Sequence, residues 1–270
     1  ALVIIVGLGL GGFGIANEKR WGYVLAVVAA VLQLGALVAI FGFDVFRGTI
    51  IINLIFDAAL VALLLHPMSR DYQRIQFRHE SALWRTDDRP FIVEFFHPGS
   101  IYSRPVSINE FSGSYAQRIP FVRTFFDYAD LRLPGRLPGS LEYAGFRLLY
   151  HLNDPKRWDE VVSFLGASYF RAVGRNQRYG GSARGLALDS GGPGPEEFPD
   201  FVEFWLGKPE AGAKTITFHA LLDSPSVAGA YTFVLTPGDE MIMDVQSTLF
   251  FRTRVANVGL APLTSMFWFG

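Results

Sequence analysis

Cysteine is absent from all 270 residues of the chain. This excludes disulfides, thiolate nucleophiles and cysteine-bound metals. An excess of basic residues is absent as well, because 24 lysines and arginines stand against 25 aspartates and glutamates, for a net charge of −1. Nucleic-acid binding relies on a basic patch that neutralises phosphates. The sequence therefore predicts no nucleic-acid partner.

Motifs for metals, cofactors and covalent catalysis are also missing. The five histidines show neither the i, i+4 spacing nor the H-E-x-x-H pattern of a helical zinc site, which predicts no metal. Ser182 lies in a Gly-Gly-Ser-Ala-Arg run, and Arg184 stands where a nucleophile elbow has glycine. Residues 7–12 fit G-x-G-x-x-G, but the amphipathic helix and the acid that dinucleotide binding requires do not follow. No cofactor is predicted.

Charge is scarce in the first 66 residues, which hold only six formally charged side chains against 43 in the remaining 204. Residues 1–16 and 21–43 carry no charge, and residues 48–65 carry only Asp57. At a rise of about 1.5 Å per residue, the second run is long enough to cross a hydrocarbon core of about 30 Å. We predict a transmembrane segment over residues 1–66, with two or three transmembrane α-helices.

Asp57 lies near the middle of the third apolar run. A carboxylate at mid-bilayer costs a few kcal/mol on insertion scales, so it has to face another helix or be protonated. Two interpretations stay open, namely a packing residue inside a helix bundle and a functional proton or ion site.

Residues 67–270 have the pattern of a β-rich soluble domain. From about residue 90, apolar residues come in short runs rich in Val, Phe, Tyr, Thr and Ile, separated by Pro-Gly and Asn-Asp-Pro turns. Many short strands joined by such turns favour a sandwich or a barrel. The strand-like runs are 91–96, 146–152, 161–165, 215–222, 230–235 and 241–251.

Aromatic and arginine side chains are the remaining candidates for chemistry. Flat aromatic faces suit the apolar faces of sugars, and forked arginine donors suit sugar hydroxyls. The alternative is that the rings belong to the core and the arginines to its rim. Asp189 and Asp223 lie near strand ends, but glycoside cleavage needs two carboxylates flanking one bond, and either alone is typical of a turn or cap. The candidates are Tyr169, Phe170, Arg171, Tyr179, Arg184 and Trp205.

Several ordered motifs resemble the periplasmic glucan-biosynthesis protein G/D family. The first is Tyr-x-x-Ile-x-Phe at residues 72–77, followed by Ala-Leu-Trp-Arg at 82–85. The most extended motif is Ser-Phe-Leu-Gly-Ala-Ser-Tyr-Phe-Arg-Ala at 163–172. Gly181 departs from the family, which usually has leucine there. The other motifs lie at 95–99, 144–147, 182–187, 196–201, 220–224, 229–231 and 261–267.

This resemblance implies a mainly β fold, a β-sandwich of the galactose-mutarotase type, in the periplasm. It implies a β-glucan partner with a β-1,2-linked glucose backbone, and some members are glycoside hydrolases. The family's catalytic carboxylates lie downstream of the 261–267 motif, so no catalytic residue is carried over and the sandwich is expected to be incomplete. Substrate binding is predicted at Tyr169, Arg171, Tyr179, Arg184 and Trp205.

The two halves conflict in membrane topology. Lys19 and Arg20 form the strongest basic loop, which the positive-inside rule places in the cytoplasm. Two further spans would return residues 67–270 to the cytoplasmic side, away from the periplasm. Three hypotheses follow: part of a glucan-pathway enzyme without hydrolysis, a non-catalytic glucan-binding module tethered to the inner membrane, and an artefactual join of two genes.

Overall fold

The computed structural model describes residues 20–42, 50–65, 72, 74–99, 102, 104–129, 131, 137–165, 168–177, 180–192 and 194–263. The chain divides into two compact units. One comprises residues 1–75 with 129–131, and the other comprises residues 76–128 with 132–270. The predicted domain division after residue 66 stays a prediction.

The first unit contains two apolar helices, α1 (Arg20–Phe41) and α2 (Ile50–Leu65). Within α1, Tyr23–Phe41 has 19 residues and a mean hydropathy of 2.7, enough by length and composition to cross a membrane. With 16 residues, α2 is about 24 Å long and falls short of a core of about 30 Å. The prediction of two or three transmembrane helices is therefore wrong for the described residues, among which one helix is long and apolar enough to cross. The apolar run at 1–16 lies outside them.

A polar contact links the two helices. Gln33 Nε2 on α1 donates a hydrogen bond of 2.6 Å to Asp57 Oδ1 on α2. Ala26, Ala29 and Ala30 of α1 are buried, and small residues let helices approach closely. Asp57 therefore has a partner on the neighbouring helix, as the packing interpretation requires.

The second unit is mainly β, as predicted. The described strands are β1 Gln76–Phe77, β2 Phe91–Phe96, β3 Ser107–Ser112, β4 Tyr115–Arg118, β5 Phe126–Asp127, β6 Gly145–Tyr150, β7 Asp159–Leu165, β8 Tyr169–Ala172, β9 Gly181–Arg184, β10 Leu186–Leu188, β11 Asp200–Gly207, β12 Ile216–Asp223, β13 Val227–Thr236, β14 Ile242–Phe251 and β15 Val258–Leu260. The larger sheet has six strands in the order β14-β13-β12-β11-β3-β4, in which β11 and β3 are parallel and the other pairs antiparallel. The smaller sheet has five antiparallel strands in the order β2-β6-β7-β8-β9.

Phenylalanine rings fill the space between the two sheets. Phe146 and Phe164 of the five-stranded sheet stack at 5.4 Å between ring centres. Each meets Phe218 of the six-stranded sheet edge to face, at 5.9 and 5.5 Å. Along β13, every second residue from Val227 is buried, because alternate side chains of a strand point to opposite faces. The structure is thus two packed sheets whose galactose-mutarotase relationship stays a prediction.

A bulge in β7 sets which residues reach the outward face of the five-stranded sheet. The register between β6 and β7 shifts between Leu148 and Leu149, so that Leu149 lies opposite Glu160 and Leu148 opposite Val162. The residue between them, Val161, is left without a partner. An extra residue of this kind changes the face of the sheet to which the following side chains point. Glu160 consequently shares the face of Leu149 and Arg147 instead of the aromatic core.

Candidate functional site

A polar row crosses the outward face of the five-stranded sheet. In the strand register, each member of the row lies opposite the next one on the neighbouring strand. The members, in order, are Glu94, Arg147, Ser163, Arg171 and Ser182. The neighbouring residues on the inward face are phenylalanines of the core, including Phe146 and Phe164. The alternation of β-strands therefore separates an aromatic face from a polar and charged face of the sheet.

Ion pairs link this row into a network. Glu94 is only 3 % exposed and accepts a hydrogen bond of 2.8 Å from Arg147 Nε. Glu160 forms ion pairs with Arg147 at 3.5 Å and with Arg171 at 2.7 Å. His79 Nδ1 also lies within hydrogen-bond distance of Glu94, at 2.5 Å. The charge of the predicted ligand Arg171 is therefore already compensated by Glu160.

A guanidinium stack lies beside this network. Tyr169 and Arg184 face each other across β8 and β9, and Tyr169 is 37 % exposed. The Arg184 guanidinium lies 4.5 Å from the Tyr169 ring centre and 3.6 Å from that of Phe198, within cation–π range of both rings. It also donates a hydrogen bond to the Tyr169 hydroxyl. Because Tyr169 and Arg171 are two residues apart on β8, the stack and the ion network share one face.

A groove lies on the outward face of the other sheet. The register aligns one row across its six strands. In order, the row contains Arg118, Asn109, Trp205, His219, Thr232 and Gln246. Around its centre lies a cavity of about 370 Å³, which we name the Trp205 groove. Its lining includes Trp205, His219, Leu221, Thr232, Gln246 and Thr248.

The groove combines an aromatic side chain with hydrogen-bonding groups. His219 Nδ1 and Thr232 Oγ1 are hydrogen-bonded at 2.9 Å, and the Phe111 ring lies 5.2 Å from the imidazole. Trp205 and Thr232 are half-buried and Gln246 is exposed. Burial raises the pKa of the adjacent Tyr231 to about 12, so its hydroxyl is neutral and donates to the Gly185 carbonyl.

The five predicted ligand residues do not form one site. Tyr169, Arg171 and Arg184 lie on the outward face of the five-stranded sheet, whereas Trp205 lies on the outward face of the six-stranded sheet. Tyr179 lies outside the described residues. Sequence reasoning missed the polar members of the groove, although strand alternation is a signal for them. These are His219, Thr232, Gln246 and Thr248.

The two carboxylates singled out from the sequence take part in local contacts. Asp189 has a φ of 52°, and its Oδ1 accepts a hydrogen bond of 2.8 Å from the Asn257 backbone. Asp223 forms an ion pair of 2.7 Å with Arg252. In the described part of the chain, no group of three or more histidine, aspartate or glutamate side chains is arranged to hold a metal ion.

Comparison with known proteins connects this fold to a family. The family described as periplasmic glucan biosynthesis protein, MdoG, matches residues 61–270. Glucans biosynthesis protein G of Pseudomonas paraeruginosa (strain DSM 24068 / PA7) is 49 % identical over 200 residues, covering 74 % of this chain and 38 % of that protein. The Ralstonia nicotianae protein of the same name is 49 % identical over 199 residues, covering 74 % of this chain and 40 % of that protein. The chain thus spans about two-fifths of these relatives' length, and it belongs to the periplasmic glucan biosynthesis protein family.

Proposed function

We propose that the chain binds glucan during periplasmic glucan biosynthesis, and that the Trp205 groove holds a stretch of β-1,2-linked glucose. The observation that carries this proposal is the half-buried Trp205 beside His219, Thr232 and Gln246 in one open cavity. An indole face packs against the apolar face of a sugar, and the polar side chains exchange hydrogen bonds with its hydroxyls. The family name supports glucan as the ligand.

Binding without hydrolysis fits this groove better than catalysis does. Glycoside cleavage uses two carboxyl groups, about 5 to 9.5 Å apart, on either side of the bond. The described lining of the Trp205 groove contains no aspartate or glutamate. Under this proposal, the chain shares the fold and the ligand of β-1,2-glucan hydrolases but not their reaction. Turnover of β-1,2-glucan by this chain would contradict the proposal.

The binding experiment uses the full chain in a detergent without a sugar headgroup, titrated with β-1,2-linked gluco-oligosaccharides in a calorimeter. Trp205→Ala is expected to weaken binding at least about tenfold, which corresponds to 1.4 kcal/mol, because both ring contact and buried area are lost. Tyr169→Ala, on the other sheet, is the matched control and is expected to leave affinity unchanged. If Tyr169→Ala weakens binding and Trp205→Ala does not, the glucan binds instead on the face that carries Arg171 and Arg184.

We further propose that α1 anchors the chain in the inner membrane. Its apolar side chains Val24, Val28 and Val31 are each about half exposed, as expected of a lipid-facing helix. Carbonate washing of membranes tests this. The full chain is expected in the pellet, and its release into the wash would contradict the proposal.

A further inference from the structure

A second cavity, of about 300 Å³, is part of the same β unit but separate from the Trp205 groove. It is lined by residues from 81–87, by Glu110 of β3 and by Lys208, which follows β11. Its apolar walls include Phe95, Ile119 and Phe125. Because Trp84 forms part of it, we name it the Trp84 cavity.

Glu110 occupies an unusual position beside this cavity. The register places it in a row with Leu206, Phe218 and Phe233, each fully buried between the sheets. A carboxylate in such a row is costly unless hydrogen bonds compensate for the lost water. Trp84 Nε1 donates to Glu110 Oε1 at 2.5 Å. Among the described residues this is the one hydrogen bond to the Glu110 carboxylate, so its other oxygen is left to accept from a ligand in the cavity.

Trp84 itself is held in a conformation that bulky residues rarely adopt. Its φ is 67°, in the left-handed region, while its surface is 4 % exposed. Such a backbone costs about 1–3 kcal/mol and is concentrated at ligand-binding and catalytic sites. Backbone hydrogen bonds hold the turn, from Asp87 N to the Trp84 carbonyl at 3.1 Å and between Leu83 and Val93. The strained residue thus directs its indole toward Glu110.

Carboxylates outnumber cationic groups in the lining of the cavity. Lys208 Nζ lies 2.5 Å from Asp87 Oδ2, and this hydrogen bond keeps the pKa of Asp87 below its usual value. The cavity lining therefore contains one ammonium group, that of Lys208, and two carboxylates, those of Asp87 and Glu110. A ligand that complements this lining brings hydroxyl donors together with an apolar surface for the phenylalanine rings.

We propose that the Trp84 cavity is a second carbohydrate site, which takes a single neutral sugar ring and binds its hydroxyls through Glu110. The volume is at the lower end of the range for ligand sites, about 300–1,000 Å³, which suits one ring better than a chain. The inference does not depend on the Trp205 groove, because the two cavities share no lining residue.

Tryptophan reporters separate the two sites in one experiment. The full chain, labelled with 5-fluorotryptophan, has five tryptophans, of which Trp84 and Trp205 are assigned in the ¹⁹F spectrum by Trp→Phe variants. Glucose and the β-1,2-linked disaccharide sophorose are the probes. We expect both sugars to shift the Trp84 resonance to a plateau, and sophorose to shift that of Trp205.

Two variants test whether the sugar enters the Trp84 cavity. Thr86→Phe places a ring at the exposed rim and is expected to abolish the Trp84 response. Glu110→Gln keeps an oxygen for the Trp84 indole but weakens the acceptor, so we expect at least about threefold weaker binding, since hydrogen bonds to charged groups are the stronger ones. The Trp205 response is expected to be unchanged in both variants.

The outcomes distinguish the two proposals. A Trp84 resonance that stays fixed up to about 0.1 M sugar, where even a millimolar site is saturated, overturns the second site and leaves the groove intact. A shift of Trp84 that neither variant alters also overturns it, because the effect would then originate elsewhere. A shift of Trp84 without any shift of Trp205 supports the cavity and overturns the groove.

Discussion

At the residue scale, burial determines the charge of His97. The side chain follows β2 and is 6 % exposed, with Nδ1 2.6 Å from the Pro98 carbonyl oxygen and Nε2 3.1 Å from the Tyr128 hydroxyl. A carbonyl can only accept, so Nδ1 carries the proton and Nε2 accepts from the tyrosine. Burial lowers the pKa of His97 below its ordinary value. The folded protein therefore contains this imidazole in its neutral form.

Acid is expected to destabilise the β domain through His97. In the unfolded chain the imidazole takes up a proton near pH 6.5, whereas the folded site takes it up only at lower pH. The unfolded state thus binds more protons, and stability falls as pH drops below about 6.5 toward the folded pKa. Melting temperatures of the full chain and of His97→Phe across this range measure the effect. We expect a flatter profile for the variant, and parallel profiles would contradict the assignment.

Two glycines of the five-stranded sheet, in β6 and β9, make a matched pair. Gly145 has a φ of 144°, and a Cβ there would lie 2.0 Å from the Phe164 carbonyl oxygen. A Cβ at Gly181 would meet nothing within 4 Å. Gly145→Ala is expected to cost at least about 2 kcal/mol, and Gly181→Ala to be neutral or to stabilise by up to about 1 kcal/mol. Thermal melts of both variants check this, and equal losses would contradict it.

At the scale of the elements, the bulge in β7 connects three strands through charge. It brings Glu160 to the face of Arg147, where Arg147 already binds the buried Glu94. Removing Arg147 leaves the buried Glu94 with its contact to His79 but without the arginine charge, and breaking a buried ion pair costs about 3–5 kcal/mol. We expect Arg147→Met to lower stability by about this amount, measured by thermal or denaturant unfolding.

A double variant is the control for the Arg147 prediction. Adding Glu94→Gln to Arg147→Met removes the carboxylate charge that has lost its arginine partner, so we expect part of the lost stability to return. Additive losses in the two single variants and the double variant would mean that Glu94 and Arg147 do not interact energetically.

Local pattern predicted the strands well, and it could not predict the sites. The runs at 91–96 and 241–251 correspond to β2 and β14, because alternation and turn residues are local signals. The Trp205 groove depends on which strands become neighbours, since Trp205, His219 and Gln246 come from three separate strands. The bulge that turns Glu160 to the outward face and the left-handed backbone of Trp84 also arise from tertiary contacts.

The error in the membrane segment had another cause, because hydropathy identified the apolar run of α2 but not where its helix begins and ends.

At the scale of the whole molecule, the exposed apolar side chains of the β unit are concentrated at its last described strands. In β14, Phe250 is 61 % and Phe251 47 % exposed, while Leu260 in β15 is 66 % exposed. β14 is also at the end of the six-stranded sheet, so its outer edge has no neighbour among the described strands. Exposed edges with apolar side chains promote association between copies.

Residues 68–270 on their own are therefore expected to aggregate or to unfold over a broad temperature range. The reason is the combination of an open edge and exposed apolar side chains on β14, which in isolation can be covered only by another copy. A Lys replacement at Phe250, which lies opposite Ala228 on the outward face, is expected to reduce aggregation, because charge on an edge strand opposes pairing without entering the core. Light scattering and calorimetry of both proteins decide the matter. A monodisperse unsubstituted protein with one sharp, cooperative melt would mean that β14 is a stable edge as it stands.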